Sequence, residues 1–310
     1  MKNNILITGG AGNIGGSLAR HLVESGYNVF ILDNLSTGSK NKLPSKKYKN
    51  WAFIKYDVNN PNFSKFFKNK RIDYIFHYAA VVGVKRTLKY PNLVLNDIKG
   101  IENILNFAVK KKIKRIFYAS SSEIYGEPVT IPQNESTTPL NSRLPYAIVK
   151  NIGEAFFRTF KKVHNIDFTI FRFFNTYGPL QSDQFVITKF IKQALKNRNL
   201  TINGNGKQTR TFLYIDDNIN LTKSIFEKKK FMNDVVNIGN DNEIKIIDLA
   251  KKIQKLLNSK SKIVFLKPLK EGDMTRRKPS IKKLNLVKKK KFINLNQGII
   301  NTARFLKKKK

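Results

Sequence analysis

Tyr146 and Lys150 stand four residues apart in Pro145-Tyr146-Ala147-Ile148-Val149-Lys150. Proline opens a helix well, because its missing N–H costs nothing in the first turn. In a helix that starts at Pro145, the phenol and the amine share one face. An ammonium beside a phenol favours the phenolate by opposite charge. A tyrosine so placed can act as a general base near neutral pH. Upstream, Ile116-Phe117-Tyr118-Ala119-Ser120 reads as a strand that runs into Ser121-Ser122-Glu123-Ile124-Tyr125-Gly126. Small hydroxyls at a strand end can donate to an oxygen that gains or loses a proton. Taken singly, these features are also those of an amphipathic helix with an exposed lysine and a strand-end turn capped by serines.

The elements behind them begin at Ile5-Leu6-Ile7-Thr8-Gly9-Gly10-Ala11-Gly12-Asn13-Ile14-Gly15. An apolar run, a glycine cluster and a helix-forming stretch make a cradle for a dinucleotide pyrophosphate. The glycines read as G-x-G-x-x-G (Gly10, Gly12, Gly15) or G-x-x-G-x-x-G (Gly9, Gly12, Gly15). A helix N-terminus offers N–H groups and partial positive charge to the anion, here around Gly9, Gly12, Asn13, Ile14 and Gly15. A second run, Asn28 to Leu32, ends in Asp33, whose carboxylate can accept from ribose hydroxyls. It would repel a 2′-phosphate, so NAD is expected over NADP.

Composition narrows the classes. The 310 residues can bury a full core. No run of about 20 apolar residues suggests a membrane span. The first strand begins at Ile5, which leaves no room for a signal peptide, so a cytoplasmic location is expected. There is no cysteine, and the histidines at 21, 77 and 164 are scattered, so no metal site is expected. The net charge of +38 invites a nucleic-acid reading. The lysines, however, are spread along the chain in short runs such as Lys110–Lys112 and Lys288–Lys291, as on a solvated surface. The last run, Lys307–Lys310, is expected to fray. No specific nucleic-acid partner is expected.

Apolar runs alternate with helical stretches through the first half, the pattern of an α/β, doubly wound parallel sheet. Strands are expected at Ile5–Thr8, Asn28–Leu32, Trp51–Lys55, Tyr74–His77, Ile113–Ser120 and Asp167–Phe173. Helices are expected near Gly15–Ser25, Leu93–Lys111 and Pro145–Val163. Turn residues become frequent after Phe173, which suggests a smaller, interleaved α+β lobe. The expected division is a dinucleotide-binding Rossmann domain over 1–174 and a substrate lobe over most of 175–310, with a strand near 235–238 returning to the main sheet.

The glycine turn, Asp33, Ser121, Tyr146 and Lys150 together resemble the extended short-chain dehydrogenase/reductase family, in its nucleotide-sugar epimerase/dehydratase branch. The likeness runs from Ile5 to about Lys283. It implies NAD as cofactor, held in part by Asp33, Asn34, Ser36 and Gly38 at the ribose, and by Asp57 and Val58 at the adenine. Ala79 and Ala80 would pass behind it, Lys150 would reach the nicotinamide ribose, and Asn96 would support the active site. Arg172-Phe173-Phe174-Asn175-Thr176-Tyr177-Gly178-Pro179 resembles the loop whose asparagine, Asn175, touches a sugar diphosphate. The resemblance also implies that Arg210 and Arg277 bind that diphosphate, a role that suits the planar guanidinium fork. One departure is Ser280, where related chains often carry aspartate. A homodimer built on the helices near Leu93–Lys111 and Pro145–Val163 is implied as well.

The resemblance further implies a shared opening step. Tyr146 takes the proton of a sugar C4 hydroxyl while hydride leaves C4 for NAD, and Ser121 hydrogen-bonds the same oxygen. The 4-keto sugar then has several fates. The loops Asp33–Gly38 and Asn175–Pro179 look like those of 4-epimerases of UDP-glucose, and a UDP-sugar 4-epimerase is the leading expectation. Ser122-Glu123 points instead to a 4,6-dehydratase or a UDP-glucuronate decarboxylase. A non-catalytic NAD-binding sensor and a basic nucleic-acid-binding protein are the readings outside enzymes.

Overall fold

The computed structural model describes residues 3–268 and 274–308. Its strands, in chain order, are β1 (Asn4–Thr8), β2 (Asn28–Asp33), β3 (Trp51–Lys55), β4 (Tyr74–His77), β5 (Arg115–Ser121), β6 (Phe168–Phe173), β7 (Thr176–Tyr177), β8 (Leu200–Asn203), β9 (Thr209–Thr211), β10 (Leu213–Tyr214), β11 (Asp234–Ile238), β12 (Glu243–Lys245) and β13 (Ile263–Leu266). The helices are α1 (Asn13–Glu24), α2 (Val84–Lys89), α3 (Pro91–Leu95), α4 (Asp97–Lys111), α5 (Pro145–His164), α6 (Val186–Ala194), α7 (Ile215–Glu227), α8 (Ile246–Leu256), α9 (Lys282–Asn285) and α10 (Leu295–Lys308).

Among the described residues the main sheet has the order β3-β2-β1-β4-β5-β6-β11. The pairs from β3 through β6 are parallel. Such strands are covered on both faces and read as continuous apolar runs. Ile5, Leu6 and Ile7 are fully buried accordingly. On one face Leu6, Phe63, Phe67, Phe107, Ile116 and Phe157 form one cluster with α4 and α5. On the other, Phe76 stacks on Phe117 at 4.4 Å and both meet Phe226 of α7 edge-on. The order reverses at β1, between β2 and β4, and ligands of open α/β sheets bind at such a switch point. The register sets Thr8 beside His77 and Leu32, and Ser121 beside Phe173.

Some element boundaries differ from expectation for local reasons. Ile113 is not in β5. Its N–H donates to Ala108 O at 3.0 Å, and the N–H of left-handed Lys112 donates to Val109 O at 3.1 Å. This double closure ends α4 and consumes Ile113 as its apolar contact. The helix expected over Leu93–Lys111 is two helices, α3 and α4, with Asn96 between them. At the C-terminus α10 keeps Lys307 and Lys308 helical rather than frayed, and Lys309 and Lys310 lie outside the described residues.

The chain forms two compact units, each built from three stretches. The first comprises Met1–Ile124, Ser142–Phe173 and Ile219–Val236, the second Tyr125–Asn141, Phe174–Asn218 and Asn237–Lys310. Residues 125–141 belong to the second because long-range pairing holds them there. Gln133 N–H donates to Lys278 O, its carbonyl accepts Ser280 N–H, both at 2.7 Å, and Tyr125 Oη donates to Asn237 Oδ1. Residues 219–236 belong to the first because α7 covers the sheet through Phe226.

Candidate active site

The glycine turn follows β1 in the first unit. Gly9 takes φ +68°, and a Cβ there would lie 2.6 Å from Ala79 N. Gly12 N–H donates to Gly9 O at 3.0 Å, and a Cβ on Gly15 would strike that same oxygen. Gly12 is the N-cap of α1, with no side-chain cap and no acidic residue in the first turn. Asn13 Oδ1 is buried without a hydrogen-bond partner at the same turn. An uncapped helix start, an orphaned amide oxygen and close backbone turns fit a pyrophosphate group.

Asp33 at the end of β2 accepts Ala11 N–H at 2.9 Å and Leu35 N–H at 2.7 Å. It therefore shapes both turns, and each oxygen keeps a lone pair for a ribose hydroxyl. Gly38 closes over it, where a Cβ would meet Asp33 Oδ1 at 2.6 Å. Asn34 Nδ2 donates to Asp57 Oδ2 at 3.0 Å, while Asn34 Oδ1 accepts Ser36 N–H. Val58 is buried in the core cluster. Ala79 N–H donates to Thr8 Oγ1 at 3.3 Å, and Ala80 follows in the same partly buried loop. The structure thus gathers these residues along the carboxyl ends of β1 to β4. Arg86, which sequence reasoning missed, donates to Ser36 O at 3.2 Å.

The Tyr–Lys pair sits at the neighbouring end of β5. Pro145 occupies the first turn of α5, and Lys150 is almost fully buried. Its Nζ donates to Ala119 O at 2.7 Å and lies 5.0 Å from the Tyr118 ring centre and 5.8 Å from that of Tyr146. Burial pushes the Lys150 amine down to about 8, against the opposing pull of the Asp97 carboxylate. Ser121 and Ser122 are buried, and Ser121 Oγ accepts Glu123 N–H at 3.2 Å. Glu123 and Tyr146 line one cavity with Thr87, Leu88, Leu144 and Pro145.

Beneath the pair lies a layer that no local motif announces. His77 stacks on Tyr118, and its Nδ1 pairs with Thr8 Oγ1 at 2.7 Å. Burial, with Lys150 nearby, pushes the imidazole down to about 3, so it stays neutral. Asn96 stands at the start of α4. It is exposed, and its neighbour Asp97 turns inward and accepts Val81 N–H at 2.7 Å. One step along a helix rotates a side chain by about 100°, which separates the two.

In the second unit Asn175 Nδ2 donates to Thr211 O at 3.2 Å. Arg210 on β9 is 8% exposed and Arg277 is 5% exposed. Thr209 N–H donates to Thr275 O at 3.0 Å, which brings the two arginine segments side by side. Arg276 is 48% exposed and is clamped by Glu243 through two contacts of 2.7 Å. Of the adjacent pair, Arg277 is therefore the buried one.

A tyrosine–lysine pair and a glycine turn at the carboxyl ends of one parallel sheet define a Rossmann-fold enzyme. More narrowly, the chain belongs to the NAD dependent epimerase/dehydratase family, whose model matches residues 5–239. A Methanocaldococcus jannaschii protein provisionally named a UDP-glucose 4-epimerase is 33% identical over 309 residues, 98% of each chain. A UDP-N-acetyl-alpha-D-glucosaminuronate decarboxylase of Bacillus cytotoxicus is 37% identical over 298 residues, 92% of this chain and 91% of the relative. The solved structure of a Thermotoga maritima UDP-glucose 4-epimerase with UDP-glucose matches with a TM-score of 0.91 at 28% identity, over 99% of both chains. Among the described residues, no helix is long and apolar enough to cross a membrane.

Proposed function

We propose that this enzyme decarboxylates a UDP-linked uronic acid through a 4-keto sugar. The observation that carries the reading is Glu123, which lines the same cavity as Tyr146. A carboxylate there has no task in a plain 4-epimerisation. The 37% identity to a uronate decarboxylase over most of both chains supports it.

The glycine turn and Asp33 would hold NAD, which would supply a hydride acceptor and later donor at sugar C4. Tyr146 takes the C4 hydroxyl proton, helped by the Lys150 ammonium. Ser121 hydrogen-bonds that oxygen. The ketone makes the C6 carboxylate a β-keto acid. Its C5–C6 bond breaks, carbon dioxide leaves, and the electron pair passes into a C4–C5 enolate. Glu123 delivers a proton to C5 and regains one from solvent, so one proton is consumed overall. Tyr146 returns its proton to the C4 oxygen at the end. Asn175, Arg210 and Arg277 hold the UDP diphosphate.

The test is incubation with NAD and a panel of UDP-glucuronate, UDP-N-acetylglucosaminuronate and UDP-glucose, read by mass spectrometry and proton NMR. Loss of carbon dioxide from a uronate supports the reading. Unchanged mass with inverted C4 establishes the second reading, a UDP-sugar 4-epimerase, which the likeness to the Thermotoga maritima epimerase favours. Tyr146→Phe is expected to abolish turnover while retaining NAD. Leu93 and Leu95 of α3 and Ile148 of α5 are exposed apolar residues of the first unit, which a second copy of the chain would cover in a homodimer. Sedimentation at a monomer's mass would refute that dimer.

A further inference from the structure

Arg210 and Arg277 stand on two short segments far apart in sequence. The strand β9 has three residues and pairs antiparallel with β12, which sets Thr211 opposite Glu243 and Arg210 opposite Ile244. Thr209 also forms a parallel bridge to Arg276. Glu243 stands where these three stretches meet. Its Oε1 accepts Thr209 Oγ1 at 2.9 Å and Arg276 Nε at 2.7 Å. Its Oε2 accepts Arg276 Nη2 at 2.7 Å and lies 3.7 Å from Lys278 Nζ. One carboxylate therefore ties the residue before Arg210 to the residues on both sides of Arg277.

We propose that Glu243 is a positioning residue, a latch that keeps Arg210 and Arg277 in register for one nucleotide diphosphate. The inference rests on the reading of those two arginines as diphosphate ligands. Guanidinium forks give their full contact only when held within a fraction of an ångström. The cationic segments 276–278 and 209–211 repel each other, and Glu243 supplies the negative charge between them. It also engages Arg276, so that in an extended stretch, where alternate side chains point to opposite sides, Arg277 faces the other way. The Arg276 guanidinium and the Thr209 hydroxyl hold the Glu243 carboxyl below its ordinary range, so the latch stays charged at neutral pH.

Calorimetric titration of the NAD-loaded protein with UDP, and separately with uridine, tests this. Glu243→Gln is expected to weaken UDP binding roughly tenfold, what one misaligned charge-assisted hydrogen bond is worth, while uridine binding and NAD retention stay unchanged. Arg276→Met should act alike, and the double variant should be no weaker than either single, because both break one latch. Wild-type UDP affinity in both singles overturns the latch. Equal losses for UDP and uridine also overturn it, since they signal a loosened lobe. If Glu243→Gln loses cooperative unfolding, Arg276→Met, at a half-exposed side chain, decides alone. UDP affinity unchanged by Arg277→Ala sinks the diphosphate reading and the latch together. UDP binding sensitive to Arg277 but not to Glu243 or Arg276 sinks the latch alone.

Discussion

One helical turn separates Lys150 from Glu154 on the buried face of α5, and their charges are met in opposite ways. Glu154 accepts Arg172 Nε at 2.9 Å and Nη2 at 2.8 Å, and Ser120 Oγ at 2.7 Å. Arg158 adds a fourth contact at 3.3 Å. Lys150 has a carbonyl, two aromatic rings and, among the described residues, no carboxylate within ion-pair distance. Asp97 acts on it only through space. A matched buried charge is inert and holds strands β5 and β6 against the helix. An incompletely matched one destabilises the fold and leaves an electrostatic effect for the neighbouring phenol. The same helix face thus carries a structural clamp and a chemical group, and the difference lies in the partners.

The largest effect expected from breaking this contrast is at the clamp. Glu154→Gln removes the negative charge that faces the buried Arg172 and should cost about 3–5 kcal/mol in denaturant unfolding, while Glu154→Gln with Arg172→Met should recover much of it. A wild-type midpoint for the single variant would show that the clamp carries no stability. The second effect has the opposite sign. Lys150→Met should abolish turnover yet stabilise the protein at neutral pH by about 2 kcal/mol, the cost of the lowered amine less about 1 for the lost hydrogen bond. The Lys150 amine falls from 10.5 unfolded to about 8 folded, so the unfolded chain binds the extra proton between those values. The penalty is fully present below pH 8 and fades as pH rises toward 10.5, and the advantage of Lys150→Met should fade with it. Paired unfolding curves at pH 7 and pH 10 check this. An advantage that does not shrink would place the effect elsewhere than in the amine. The smallest effect is Ser120→Ala, expected to cost about 1 kcal/mol because Arg172 still satisfies the carboxylate.

Features that lie within one strand, turn or helix were legible. The glycine turn, Asp33 and the i, i+4 placement of Tyr146 and Lys150 follow from local geometry and occur where expected. Asp97, which accepts Val81 N–H, carried no such signal, because a resemblance does not set helical phase. The pairings of Glu154 with Arg172 and of His77 with Thr8 gave no local signal. Thr8 and His77 are cross-strand neighbours on β1 and β4, Ser120 and Arg172 on β5 and β6, and only packing of α5 on the sheet sets Glu154 against the second pair.

The amino-acid sequence by itself determined a parallel nucleotide-binding sheet, its glycine cradle and a tyrosine–lysine pair, since each is written in spacings of two to four residues. Tertiary structure decided that Lys150 is buried with no ion pair among the described residues, that Arg277 rather than Arg276 is the buried arginine, and that residues 125–141 pack with the second unit. Those outcomes depend on which distant segments exclude water from a charge or complete its hydrogen bonds, and burial of that kind is a property of the folded chain.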